Sequence, residues 1–252
     1  MQASKASLGH SVVRDQFAAA KESLESIAAS ALQSVCKSVN YPDTVTFAVA
    51  STEDAVRYQL RPEEDRALSP RAGGKRRLSW IRGRMAARIA LEHLGVAERA
   101  PLLRGDAGEP IWPNGISGSI THCDPWSIAA VTPSSGSVFL GIDLENIDRI
   151  QELEIASLVC RPSERAWIHS GNNSRERLCM LFSAKEALYK SIFPSYRRYV
   201  DFIEVGLSWS ADESGFQAAI PPSETQTQSA LSFISLQHCK NLIFSCSLYM
   251  PQ

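Results

Sequence analysis

Apolar residues recur every three or four positions between residues 75 and 94, which is the spacing of one helix face. The members of this stripe are Leu78, Ile81, Met85 and Ile89. Gly95 follows the segment directly, and glycine commonly ends a helix at that position. We therefore predict a long helix over residues 75–94. The same spacing predicts an amphipathic first helix and further helices over residues 151–159, 162–169 and 174–193.

Alternating or continuous apolar runs predict the strands. The runs are residues 41–52, 117–121, 126–131, 138–144, 202–209, 231–236 and 242–249. Helix is followed by paired strands twice along the chain. This order predicts an α+β (α/β) fold, a pseudo-dimer of two similar α+β halves with the active site in the cleft between them. Residues 132–136 read as a linker, so the predicted halves are 1–135 and 136–252.

Composition narrows the classes of function. The 252 residues are 44% apolar and 21% charged with a net charge of -1, which is typical of a globular protein that does not coat nucleic acid. No segment has the apolar length of a membrane span or of a signal-peptide core. The six cysteines lack CxxC spacing, which argues against zinc and predicts reduced thiols in a cytoplasmic protein. Two halves in one chain make a monomer sufficient.

Two acids stand at the end of the apolar run 138–142. Asp143 and Glu145 are two positions apart, so in a strand they point to the same face. A strand this apolar should be buried, which would bring the acids to the mouth of a cleft. Carboxylates there suit a divalent cation. The alternative is a pair of exposed acids at a strand end.

A second charged segment lies forty residues later. Glu186 and Lys190 are four positions apart and share one stripe of the predicted helix, and Lys185 precedes them. Taken alone, this could be an exposed ion pair. The surrounding residues are mostly apolar, however, so some of these charges should point inward. Together with the strand acids they supply three carboxylates and two lysines, which suit a hard cation bridged to phosphate oxygens.

Basic residues crowd the helix predicted over 75–94. They are Lys75, Arg76, Arg77, Arg82, Arg84 and Arg88. Arg104 follows in a loop, and His122 comes after small hydrogen-bonding residues. Guanidinium groups bind phosphate in a bidentate manner, so these side chains could hold a nucleotide. A solvated helix face and a structural histidine are the alternatives.

These segments resemble the motifs of the 4′-phosphopantetheinyl transferases, in particular the siderophore-synthesis branch. The matching motifs are Gly141–Glu145 with Phe182–Lys190, the Lys-Arg-Arg-x5-Gly-Arg-x3-Arg pattern of Lys75–Arg88, Gly108–Pro113, and Gly118–Cys123. The resemblance runs roughly from residue 71 to residue 209, which is more than half of the chain.

The resemblance implies an enzyme that transfers the phosphopantetheine arm of coenzyme A to a serine of an apo acyl or peptidyl carrier protein. It implies Mg²⁺, with Mn²⁺ as an alternative, and release of 3′,5′-ADP. The implied metal ligands are Asp143, Glu145 and Glu186. The implied contacts to coenzyme phosphates are Arg76 (or Arg77, one position on), Arg84, Arg104, His122 and Lys185. Glu186, acting directly or through a metal-bound water, is the first candidate base and Glu145 the second, while Lys190 would neutralise the leaving group. The first half would hold the phosphates and adenine, and the second half the metal and the catalytic groups.

Two other functions compete with this one. A Mg²⁺-dependent nuclease would also combine Asp, Glu and Lys, but as Glu-x-Lys on one strand, whereas Lys185 precedes Glu186 on a predicted helix. A non-catalytic module binding coenzyme A or a carrier would not need three metal ligands. For an acidic carrier, residues 196–199 are a candidate docking segment, with a solvated loop as the alternative.

Overall fold

The computed structural model describes residues 2–42, 44–97, 100–134, 136–150, 154–212, 214–222 and 230–251. Its description of side chains begins at Gln16 and omits those of Glu154, Ala230 and Leu231. The predicted division between the halves falls at Ser135, which lies outside the described residues, and remains a prediction.

Seven α-helices occur in the described parts of the chain. They are α1 (Gln2–Ser38), α2 (Thr52–Val56), α3 (Pro62–Arg66), α4 (Gly74–His93), α5 (Glu154–Val159), α6 (Pro162–His169) and α7 (Ser174–Tyr196). Short 3₁₀ turns occupy Ile147–Arg149 and Phe202–Glu204. The strands are β1 (Thr46–Ser51), β2 (Ile116–Cys123), β3 (Trp126–Pro133), β4 (Phe139–Asn146), β5 (Gly206–Ser210), β6 (Gly215–Ile220), β7 (Ala230–Cys239) and β8 (Leu242–Tyr249).

The strands form two antiparallel sheets with related topology. The first has the order β1-β3-β2, and the second has the order β4-β8-β7-β6-β5. In each sheet the first strand pairs with the strand that is last in sequence. A long helix, α4 or α7, follows that first strand in the chain and packs on its sheet. This repeated arrangement confirms the predicted α+β pseudo-dimer.

The core is continuous across the two halves. One apolar cluster joins Leu24 and Leu32 of α1 to Ile128 of β3 and to Ile142 and Phe244 of the second sheet. Helix α1 therefore packs on β1 as well as on β7 and β8. No helix among the described residues is long and apolar enough to cross a membrane.

Two segments of the second half, and helix α2 in the first, differ from the sequence-based expectation. The strand predicted over 202–209 begins only at Gly206, because Asp201 accepts a hydrogen bond from the amide of Ile203 and starts a 3₁₀ turn instead. Strand β6 was not predicted at all. Its inward and outward positions do alternate, but the strand is only six residues long and begins at Gly215.

Strand β4 and helix α7 approach each other unusually closely at Gly141. A methyl group built on Gly141 would lie 1.9 Å from the carbonyl oxygen of Ala187 and 2.7 Å from the amide nitrogen of Ser191. Only a residue without a side chain fits this crossing. The close approach brings the acidic end of β4 against the face of α7 that carries Lys190.

Candidate active site

The acids of β4 and the charged stripe of α7 meet in one cluster. Lys190 Nζ donates to Asp143 Oδ1 at 2.7 Å and to the carbonyl of Ile142 at 3.1 Å. Thr121 of β2 donates to the same Asp143 oxygen at 3.1 Å. Asp143 is 4% exposed, so its charge lies almost entirely within the protein.

The second oxygen of Asp143 has no such partner. Among the described residues, no hydrogen-bond donor reaches Asp143 Oδ2, although this atom is buried. An unsatisfied buried carboxylate oxygen is costly unless something positive binds it. A hard divalent cation is the ligand that carboxylate oxygens prefer. The site therefore fits the Mg²⁺ that the sequence led us to expect.

The three predicted ligands do not form a preassembled metal site. Within the described residues, no group of three or more His, Cys, Asp or Glu side chains has the arrangement of a metal site. Lys190, rather than a second acid, occupies the position beside Asp143. Like-charged carboxylates repel one another, which favours this arrangement. The assignment of Asp143, Glu145 and Glu186 as metal ligands remains a prediction.

Electrostatic coupling nevertheless links these side chains. Burial, followed by the nearby charge of Asp143, raises the pKa of Glu145 to about 7. Burial also raises the pKa of Glu186, with Lys190 opposing the shift and Asp143 adding to it. Burial disfavours the charged form of Lys190, but Asp143 and Glu186 outweigh it and raise the pKa of Lys190. Several shifted pKa values within one cleft are typical of functional sites.

A basic cavity of about 480 Å³ lies beside this cluster. Its lining includes four of the predicted phosphate ligands, namely Arg76, Arg84, Arg104 and His122. The guanidinium of Arg84 lies 3.5 Å from the centre of the Trp80 ring. Burial lowers the pKa of Arg84 to about 10, so this side chain still carries its positive charge at neutral pH. Desolvation, followed by the charges of Lys190 and Arg82, lowers the pKa of His122.

A second cavity, of about 270 Å³, adjoins the first. The two share Gly108, Pro110 and Ile120 as lining residues. Glu186 and Lys190 of the second half line one side of the smaller cavity, and strand β2 of the first half lines another. The cavities together form a cleft between the halves, where the sequence predicted one.

Lys185 does not reach this cleft, which corrects its predicted role at the coenzyme phosphates. Its ammonium group donates to Glu164 at 2.7 Å and to the carbonyls of Val159, Phe202 and Val205. Lys185 and Glu186 are adjacent on α7 and so point about 100° apart, which prevents both from facing the cleft. The buried partner Glu164 was missed because nothing in the sequence near α6 marks it.

The other arginines of α4 have structural partners, and Arg84 itself donates to the carbonyl of Leu102 at 3.1 Å. Arg77 pairs with Asp65 at 2.7 Å, which favours its neighbour Arg76 as the residue facing the cavity. Arg82 is buried and bonds to Thr52 and Asp124. Arg88 pairs with the fully buried Glu64.

Sequence reasoning also failed to single out Thr121, although serine or threonine at every second position of β2 was a visible signal.

Known proteins resemble this chain over the segments that form the site. The family model described as the 4′-phosphopantetheinyl transferase N-terminal domain matches residues 63–132. The model of the 4′-phosphopantetheinyl transferase superfamily matches residues 139–243. A crystal structure of Thermotoga maritima holo-[acyl-carrier-protein] synthase matches with a TM-score of 0.34 and 18% identity, over 45% of this chain and 63% of that chain, a similarity too low to bear on the assignment.

Curated relatives extend the match. The 4′-phosphopantetheinyl transferase PptT of Mycobacterium tuberculosis is 37% identical over 61% of this chain and 67% of its own length. The transferase Npt of Nocardia iowensis is 35% identical over 62% of this chain and 68% of its own length. Enterobactin synthase component D of Salmonella typhi is 35% identical over 52% of this chain and 53% of its own length. These matches and the two family models show that the chain belongs to the 4′-phosphopantetheinyl transferase superfamily and is an enzyme of that class.

Proposed function

We propose that the protein transfers the 4′-phosphopantetheine arm of coenzyme A to a serine hydroxyl of an apo acyl or peptidyl carrier protein, in a Mg²⁺-dependent reaction that releases 3′,5′-ADP. The observation that carries this proposal is the continuous cleft. Its arginine-lined part opens directly into the part that holds Glu186 and Lys190. A coenzyme bound by its phosphates in the first part would present its pyrophosphate to the second.

The basic cavity would hold the coenzyme. Arg76, Arg84 and Arg104 line this cavity, and guanidinium groups bind phosphate through paired hydrogen bonds. His122 lines the same cavity from β2 and offers a further ring nitrogen to a phosphate oxygen. Local positive charge of this kind explains how a chain with a net charge of only -1 binds a polyanion.

Asp143, Glu145 and Glu186 would hold the cation. When bound, Mg²⁺ stabilises the negative charge that develops on the pyrophosphate oxygens. No donor among the residues that the structure describes reaches Asp143 Oδ2, which supports the assignment of this acid as a ligand. Residue 144 is a buried leucine, so a water would fill that coordination position.

Glu186 is our first candidate for the base, and Glu145 is the second. Serine is a weak nucleophile until its proton is removed. The raised pKa of Glu186 makes this carboxylate a better proton acceptor than an exposed acid. As the proton passes to the carboxylate, the serine oxygen bonds to the β-phosphorus of coenzyme A. The bond from that phosphorus to the bridging oxygen breaks, and Lys190 neutralises the charge on the departing 3′,5′-ADP.

The carrier would dock beside the smaller cavity. Of the predicted docking segment, Tyr196 is buried and Arg198 is paired with Glu204, so these two are engaged within the protein. Arg197 and Tyr199 are exposed, although Arg197 also lies 3.8 Å from the carboxylate of Glu109. The Tyr199 ring lies 5.7 Å from that of Tyr189, which lines the cavity. An exposed aromatic ring next to an arginine suits an acidic helical surface.

The proposal predicts a gain of one phosphopantetheine unit on a suitable apo carrier incubated with coenzyme A and Mg²⁺. Intact-mass spectrometry over a panel of siderophore, polyketide, non-ribosomal peptide and fatty-acid carriers measures this gain and identifies the preferred substrate. A carrier whose acceptor serine is replaced by alanine is the control. Absence of any mass gain across the panel would reject the proposal.

Arg84→Ala tests how the coenzyme is recognised. If Arg84 contacts the 3′-phosphate, we expect the variant to lose about 10- to 100-fold in affinity for coenzyme A, because a charge-assisted hydrogen bond is lost. Affinity for dephospho-coenzyme A should change little. Isothermal calorimetry with both ligands measures the ratio, and Arg77→Ala on the same helix is the matched control. Equal weakening of both ligands would remove Arg84 from this role.

A further inference from the structure

Strands β2 and β4 are facing edge strands of the two sheets, and side-chain hydroxyls connect them. Ser117 accepts a hydrogen bond from the amide of Leu140 at 2.9 Å, and Ser119 accepts from Ile142 at 3.1 Å. Thr121 accepts from the amide of Leu144 at 3.0 Å. Side-chain hydroxyls of alternate β2 residues thus accept hydrogen bonds from alternate amides along the edge of β4. They take the place of the backbone carbonyls that a paired neighbouring strand would supply. We call these three bonds the hydroxyl seam.

The last bond of the hydroxyl seam differs from the other two. Thr121 is buried, and while its oxygen accepts from Leu144, its own proton goes to Asp143 Oδ1. A hydroxyl group has one proton to donate. Because the Thr121 oxygen acts as the acceptor towards the amide of Leu144, its proton is available for the hydrogen bond to Asp143. Thr121 therefore ties the Asp143 carboxylate to the backbone of the strand that carries it.

We propose that Thr121 is a positioning residue that holds the Asp143 carboxylate in the orientation that binds the cation. This inference rests on the proposed function. Lys190 also donates to Oδ1 and to the carbonyl of Ile142, but its side chain is long, flexible and 27% exposed, so it constrains the rotation of the carboxylate less than a short, buried side chain does. A buried hydroxyl anchored to the strand does fix it. With Oδ1 held by two donors, Oδ2 is kept available, and this is the atom that has no donor among the described residues.

Thr121→Val removes the hydroxyl and keeps the shape of the side chain. Loss of a group that orients a metal ligand typically costs about 10- to 100-fold in metal affinity. We expect that loss in the affinity for Mg²⁺, measured by calorimetry on the whole chain saturated with coenzyme A and without carrier. Coenzyme A affinity in the presence of a chelator should change by less than about twofold. Thr121→Ser, which keeps the hydroxyl, should restore Mg²⁺ affinity to within about threefold.

Ser117→Ala is the matched control, because it deprives one amide of β4 of its acceptor but touches no acid and lines neither cavity. If the hydroxyl seam is only structural, this variant and Thr121→Val will show the same Mg²⁺ affinity, and the proposal is overturned. A wild-type protein that binds no Mg²⁺ with coenzyme A would overturn it as well. If Mg²⁺ affinity falls as expected but no carrier is modified by the wild type, the proposed function fails while the positioning role stands.

Discussion

Glu186→Gln is expected to lower kcat for carrier modification by about 10²- to 10⁴-fold, the range for loss of a catalytic base. The substitution keeps the size of the side chain and its contact with the cleft but removes its ability to accept a proton. Coenzyme A should still bind, because the proposed phosphate ligands lie on α4, in the loop after it and on β2. Single-turnover kinetics on an apo carrier measure the rate, and calorimetry measures coenzyme binding.

Glu176→Gln is the control for this experiment. It makes the same chemical change on the same helix, but Glu176 lies beside His238, among residues that line a separate cavity. We expect its rate to match the wild type. If Glu186→Gln instead abolishes coenzyme binding while Mg²⁺ is present, Glu186 acts mainly as a metal ligand, and Glu145 becomes the candidate base.

Lys185→Met should lower the free energy of unfolding by about 3–5 kcal/mol, because it leaves Glu164 as an uncompensated buried charge. Both side chains of this pair are 1% exposed, so water cannot take the place of the lost ammonium group. Glu164 also accepts from the amides of Arg161 and Leu207, which fix it in place. Urea denaturation followed by tryptophan fluorescence measures the loss.

The double variant Lys185→Met/Glu164→Leu distinguishes a structural role from a role at the coenzyme. It removes both charges, so part of the lost stability should return. Coenzyme A affinity of the folded single and double variants should equal that of the wild type, because Lys185 lines neither cavity. A large fall in coenzyme affinity without loss of stability would restore the role that the sequence motif implied.

Much of the fold could be predicted because the hydrophobic pattern carries it. The apolar stripe of α4 and the apolar run of β4 gave both elements to within a residue or two. The start of β5 was missed because Asp201 and Glu204 form a local capping box, which outweighs the apolar residues between them. The length of α1 was not predicted either, since no pattern in the sequence defines where it begins.

The candidate site was only partly predictable, for a different reason. Asp143, Glu186 and Lys190 could be grouped because strand and helix geometry sets which neighbours share a face. The direction of Lys185 depends on Glu164, which is 21 residues away and belongs to another helix. A single sequence does not reveal such a pairing. The same limit applied to Arg76 and Arg77, where Asp65 of α3 decides which side chain is engaged elsewhere.

The missing side chain at Gly141 has a consequence for how this enzyme can vary. At Gly141 the backbone of β4 contacts the backbone of α7 directly, and this contact sets the distance between the two elements. No side chain lies between them whose size could change that distance. A larger residue there would wedge the two elements apart and separate Lys190 from Asp143. Tolerance to substitution should therefore be low at Gly141, although it carries no reactive group, because the absence of its Cβ atom sets the distance between the proposed catalytic side chains.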